Sequence, residues 1–127
     1  MIVVDSSALM AIALNEGDAV KCEAALLQSE TLLMSAAIYA EVLVVAQGKG
    51  CAGALRALIE ALAIEIIPAD DTTAEQVAFA YKAWGKGRHK AALNLMDCFS
   101  YVTAKTFNCP LLFVGDDFSQ TDIESAL

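Results

Sequence analysis

Short, wholly apolar runs alternate along this chain with longer stretches in which apolar residues return every three or four positions. The run IVV before Asp5 carries no polar residue, as a strand buried on both faces requires. Ser6 and Ser7 then offer an N-cap for a helix over about 7–14, and Gly17 separates it from a second helix over 18–28. Thr31 to Met34 reads as the next strand, after which Ser35 caps a helix running to Gln47 and stopped by Gly48. Residues 51–62 form a further helix, and Ala63 to Ile67 a strand ended by Pro68. A helix from Asp71 to Trp84 leads into a loop over 85–91, and Asn94 caps a helix to Phe107. Pro110 opens a strand at 111–114, the turn Gly115-Asp116-Asp117 follows, and a last short strand is expected near Asp122.

Apolar strands separated by helices define an α/β layered domain with a mostly parallel sheet. A chain of 127 residues accommodates one such domain, taken as residues 1–127. Open sheets of this class place their sites at the carboxyl ends of strands. Asp5 ends the first strand, and Asp116 and Asp117 follow the 111–114 strand.

The position of the acids is the sharpest feature. Asp5 is the one charged residue between Met1 and Asn15, Glu41 between Thr31 and Gly48, and Asp97 between Ala91 and Ala104. Burying an uncompensated carboxylate costs on the order of several kcal/mol. Three would consume much of a domain stability of roughly 5–15 kcal/mol. These segments contain no Lys or Arg to offset them. A divalent cation serves several carboxylates at once, and oxygen ligands suit Mg²⁺ or Mn²⁺. Local roles compete at each position: Asp5 as a helix cap, Asp97 as a favoured first-turn acid after Asn94, Asp116 and Asp117 as turn residues. Glu41, surrounded by Ala37, Ile38, Ala40 and Val42 to Val45, has the weakest such explanation.

Composition adds two constraints. The chain is 57% hydrophobic, more than one small domain needs to hide, which points to apolar surface covered by a partner or a second copy. Its net charge of −8 argues against bulk electrostatic attraction to nucleic acid. Half of its eight Lys and Arg, however, lie in one nine-residue stretch, as Lys82, Lys86, Arg88 and Lys90, together with His89. On composition alone that stretch reads as a solvated, flexible loop, with His89 solvated too. Cys22, Cys51, Cys98 and Cys109 show no C-x-x-C spacing and read as small buried hydrophobes of a reducing compartment. The apolar start contains Asp5 and lacks a basic leader, and no stretch is long and uncharged enough to span a membrane, so a cytoplasmic location is expected.

These features together resemble the PIN-domain family, and within it the VapC-type toxins of bacterial toxin–antitoxin pairs. IVVDSSALMAI resembles the family's strand-Asp-x-Ser opening, and SAAIYAEVLVV its helix with a single Glu. KGRHKAALNLMDCFSYVTAK and PLLFVGDDFSQTDI resemble the third and fourth motifs, in the same order and spacing. The resemblance implies a three-layer fold with a five-stranded, mostly parallel sheet and a Mg²⁺- or Mn²⁺-dependent endoribonuclease that leaves a 5′-phosphate and a 3′-hydroxyl. It makes Asp5, Glu41 and Asp97 the acidic triad and Asp117 or Asp116 the fourth acid, with Asp117 preferred because it directly precedes Phe118. Asp5, Asp97, Asp117 and Asp116 are the implied metal ligands. Ser7, and after it Ser6, would position a water or orient the fourth acid, and Lys86, Arg88 and Lys90 would contact RNA phosphates. A homodimer held inactive by an antitoxin is implied as well.

Two other readings are open at this level. An Asp at a strand end also suits a phosphatase nucleophile, although such enzymes want a second acid where Ser7 stands. A scaffold of the same fold that binds a partner without cutting RNA is the second.

Overall fold

The computed structural model describes residues 1–127. The elements follow the order β1 (Ile2–Val4), α1 (Ser6–Ala13), α2 (Ala19–Gln28), β2 (Leu32–Ser35), α3 (Ala36–Gly48), α4 (Ala52–Ala61), β3 (Glu65–Ile67), α5 (Asp71–Trp84), α6 (Leu95–Phe107) and β4 (Leu111–Leu112). All strand pairs are parallel, in the order β3-β2-β1-β4.

Both faces of the sheet are covered, and strand periodicity divides the core in two. Ile2 and Val4 of β1, Leu32 and Met34 of β2, and Leu112 of β4 pack on one side with Leu9, Ile38, Val42, Leu55 and Ile59 from α1, α3 and α4. The intervening residues Val3, Leu33 and Leu111 pack on the other side with Val77 and Ala80 of α5 and Val102 and Ala104 of α6. Side chains alternate across a strand, so a run of three or four apolar residues feeds both cores. This explains why the strands are unbroken apolar runs instead of alternating ones. The arrangement is the three-layer α/β fold the sequence implies.

The sheet has four strands instead of the expected five. The last one is reduced to a single parallel bridge between Leu111 and Ser125. The Leu111 N–H donates to the Glu124 carbonyl and the Ala126 N–H to the Leu111 carbonyl, both at 2.9 Å, and the pairing goes no further. β4 is likewise shorter than predicted, because the Val114 N–H leaves the ladder and donates to the Ser7 hydroxyl of α1.

The chain begins at β1, moves outward through β2 and β3, and returns to place β4 on the opposite side of β1. The connections from β1 and β4 therefore diverge at the carboxyl edge, where open α/β sheets generally carry their sites. Asp5 and the Gly115–Asp117 turn lie at that edge. No helix is long and apolar enough to cross a membrane.

Candidate active site

Asp5 is 5% exposed and is itself the N-cap of α1, a role for which the serines were the expected residues. Its Oδ2 accepts the Ser7 N–H at 3.1 Å and the Ser7 hydroxyl at 2.7 Å, and its Oδ1 accepts the Ser100 hydroxyl at 2.6 Å. Both carboxylate oxygens are thus engaged by neutral donors.

Ser6 and Ser7 divide their work. Ser6, the first helical residue, donates to Glu41 Oε1 at 2.7 Å and so ties α1 to α3. The Ser7 hydroxyl also accepts the Val114 N–H at 3.1 Å. Ser7 therefore orients the first acid directly and holds the backbone three residues before Asp117.

Asp97 completes a capping box at the start of α6. The Asn94 side chain accepts the Asp97 N–H at 2.8 Å, and Asp97 Oδ2 accepts the Asn94 N–H at 2.9 Å. Asp97 thus fills the local role expected of a first-turn acid after Asn94. Gly115 has φ +99°, a conformation open to glycine, and it turns the chain so that Asp116 and Asp117 are exposed. Phe118 then returns to the core, 2% exposed, with its ring 5.1 Å from that of Phe113. The acidic turn is anchored on both sides, by Val114 on Ser7 and by Phe118 in the core.

The charges of the four acidic segments act on one another. Asp97 is pushed up to about 6, chiefly by burial, and further by the charges of Asp5, Asp117 and Glu41; its bond from the Asn94 N–H works the other way. Asp117, and not Asp116, is the member of the pair whose charge reaches Asp97. No cation answers these acids: the one salt bridge joins Lys105 to Asp122 at 3.0 Å. No three carboxylates converge into a ready-made clasp for an ion, since Asp5, Glu41 and Asp97 are each drawn to their own hydroxyl or amide donor. The donor set consists of hard oxygen ligands with uncompensated negative charge, which suits Mg²⁺ or Mn²⁺ and no soft metal.

Ser100 was not singled out from the sequence. It is fully buried and one helical turn beyond Asp97. The signal was present: it is a polar residue three positions after the acid, on the same face of an otherwise apolar helix.

The basic segment is ordered, contrary to its expectation as a flexible loop. The Lys86 N–H donates to the Leu93 carbonyl at 2.9 Å and the Leu93 N–H to the Trp84 carbonyl at 3.0 Å, so the two ends of the loop are closed against each other. Gly85 packs onto the Tyr81 backbone and ring so closely that a Cβ would collide with both. His89 is not simply solvated. Its Nδ1 accepts the Ala91 N–H at 3.0 Å, and its ring meets Trp84 edge-on at 4.8 Å. Trp84 donates to the Tyr101 hydroxyl at 3.1 Å, and Tyr101 donates to Asp122 at 2.7 Å. Lys86, Arg88 and Lys90 project into solvent from this braced turn, which leads directly to Asn94 and Asp97.

Comparison with known proteins agrees with this architecture. Residues 2–124 match the PIN domain family. Ribonuclease VapC30 of Mycobacterium tuberculosis is 40% identical over 124 residues, covering 95% of each chain. The crystal structure of Mycobacterium tuberculosis VapC20, a sarcin–ricin loop cleaving toxin, superposes with a TM-score of 0.78 at 14% identity, over 97% of this chain and 96% of that one. A toxin–antitoxin complex from Klebsiella pneumoniae superposes with a TM-score of 0.71 at 19% identity, over 96% and 93%. The chain belongs to the PIN-domain family and, within it, to the VapC ribonucleases.

Proposed function

We propose that this protein is a divalent-metal-dependent endoribonuclease, acting in the cytoplasm as the toxin of a toxin–antitoxin pair. The observation that carries the reading is that Asp5, Glu41 and Asp117 stand near enough to Asp97 for their charges to act on it, with no Lys or Arg to balance them. A fold that gathers acids in this way is stabilised by a cation, and the relatives named above are ribonucleases.

Asp5, Asp97 and Asp117 would hold the ion, with Asp116 beside them. A divalent ion bound there supplies Lewis acidity that activates water and offsets charge on the scissile phosphodiester. The chain's own part is positional. Ser7 fixes Asp5 and the approach to Asp117, while Ser6 fixes Glu41 from the first turn of α1; Glu41 would there orient the attacking water. Lys86, Arg88 and Lys90 contact the RNA backbone without reading bases and overcome, over a short range, the repulsion of a chain with net charge −8.

Apolar side chains stand in solvent on several helices: Leu27 (81%), Phe79 (78%), Val20 (75%) and Val44 (66%). Such surface suits a second copy of the chain and an antitoxin. The toxin–antitoxin complex with the same fold supports an antitoxin as partner.

The decisive experiment incubates purified wild-type protein and Asp5→Ala with total cellular RNA in Mg²⁺, Mn²⁺ or EDTA. Discrete metal-dependent cuts that vanish in the variant are expected. A folded wild-type protein, free of any bound inhibitor, that cuts no RNA with either metal would favour the partner-binding scaffold.

A further inference from the structure

Asp5 is held from two directions, and one of them ties it to the helix that carries Asp97. Ser7 approaches Oδ2 from the same turn of α1, so that contact is local and moves with Asp5. Ser100 approaches Oδ1 from α6, 95 residues away in sequence. Asp97 stands three residues before Ser100, one turn earlier on α6. The Ser100–Asp5 bond is therefore a side-chain strut between the elements that bear the first and third acids.

Its environment suits that role. Ser100 is fully buried and Asp5 nearly so, which leaves water little chance to replace the bond. The 2.6 Å separation is that of a short hydroxyl–carboxylate contact. With Oδ1 and Oδ2 each bound, the carboxylate cannot rotate about its terminal torsion, which is otherwise broad.

We propose that Ser100 is a positioning residue of the nuclease site: its hydroxyl sets the rotation of the Asp5 carboxylate and its distance from Asp97, and so the affinity for the divalent ion. The inference rests on the metal-dependent reading given above. Ser100 touches neither RNA nor the reacting atoms and acts entirely through Asp5. Partners that orient a metal's ligands typically alter affinity or activity by about 10- to 100-fold when removed.

The test uses the full-length protein as wild type, Ser100→Ala, Ser100→Thr and Thr103→Val. Thr103 is the matched control. It is a buried hydroxyl on the same helix, and it donates to the Phe99 carbonyl at 2.7 Å instead of to an acid. Mn²⁺ affinity is read by electron paramagnetic resonance of free Mn²⁺, thermal stability by circular dichroism, and cleavage by kcat and KM on RNA.

The expected result is a loss of Mn²⁺ affinity of about tenfold or more in Ser100→Ala, with kcat falling and KM for RNA unchanged. Ser100→Thr, which keeps the hydroxyl, restores Mn²⁺ affinity, and Thr103→Val loses stability without moving it. If the wild type binds Mn²⁺ and cuts RNA while Ser100→Ala matches it in Mn²⁺ affinity and kcat, the strut has no such role. The strut is equally excluded if Thr103→Val weakens Mn²⁺ as much as Ser100→Ala, because the effect is then general to the helix. A wild type that neither binds Mn²⁺ nor cuts RNA overturns the nuclease reading itself and the inference with it.

Discussion

The Ser6 hydroxyl donates to Glu41 Oε1 at 2.7 Å and joins the first turn of α1 to the middle of α3. Glu41 would otherwise be a half-buried carboxylate on an apolar helix face with no protein partner. A hydrogen bond to a charged group contributes about 1.5–3 kcal/mol, reduced here because Glu41 retains part of its hydration. Ser6→Ala is expected to lower stability by about 1 kcal/mol, a fall of about 3 °C in Tm, and to reduce kcat with little change in KM for RNA. Thermal denaturation alongside cleavage kinetics checks this, and an unchanged kcat would remove Ser6 from the site.

Asp97 sets function against stability. Asp97→Asn keeps an oxygen to accept the Asn94 N–H and removes one charge from a cluster of like charges. Cleavage is expected to fall by about 100-fold or more, as for other groups that hold charge at a reacting centre. The metal-free variant should nevertheless melt higher than wild type above pH 6. A lower melting temperature at that pH would mean that the capping role outweighs the repulsion.

The same residue fixes a pH dependence. Asp97 titrates near 6 in the folded chain, raised by burial and by the charges of Asp5, Asp117 and Glu41, against an ordinary value of 3.8. Between these values the folded state binds more protons than the unfolded one, so this group's contribution falls as pH rises from about 4 to 6. Metal-free protein should lose Tm across that window, and Mn²⁺ should restore it above pH 6, where the ion no longer competes with the proton. Melting curves in EDTA and in Mn²⁺ from pH 4 to 8 test both statements. Equal Mn²⁺ stabilisation at pH 4 and pH 8 would contradict them.

The basic turn should act on binding and not on chemistry. Replacing Lys86, Arg88 and Lys90 together by Ala is expected to raise KM for RNA by about tenfold or more with kcat nearly unchanged. It should also flatten the slope of affinity against salt by about 0.7 for each phosphate no longer neutralised. Salt titrations by fluorescence anisotropy measure that slope. An unaltered slope would place the RNA elsewhere.

His89 tests whether the shape of that turn matters as well as its charge. His89→Ala removes the acceptor of the Ala91 N–H and the edge contact with Trp84. It should weaken RNA binding several-fold and leave Mn²⁺ affinity intact. Loss of Mn²⁺ binding in this variant would show that the turn supports the acids directly.

Much of this protein is legible in one dimension because the decisive signals are local. A strand buried on both faces must be an unbroken apolar run, so β1 and β2 stand out in the chain. Ser35 and Asn94 cap the helices they were expected to cap, since a cap and the amide it binds lie within three residues. Asp5, Glu41 and Asp97 were visible because a charge alone in an apolar segment needs a partner wherever the segment packs.

The remaining features depend on contacts whose sequence separation carries no pattern. The expected fifth strand shrinks to Ser125 because the chain after Phe118 turns on itself, with the Thr121 N–H on the Phe118 carbonyl, and Asp122 is drawn to Tyr101 and Lys105. Neighbouring acids 116 and 117 differ only once Gly115 and Phe118 fix the turn that lets one charge reach Asp97. The edge-on packing of His89 against Trp84, and the reach of Ser100 across the core to Asp5, exist only after the helices have docked. The sequence by itself determined which charges must be answered and which segments are buried, because burial constrains residue type position by position. The tertiary structure decided which donors answer them, because a hydrogen bond depends on ångström distances that only packing sets.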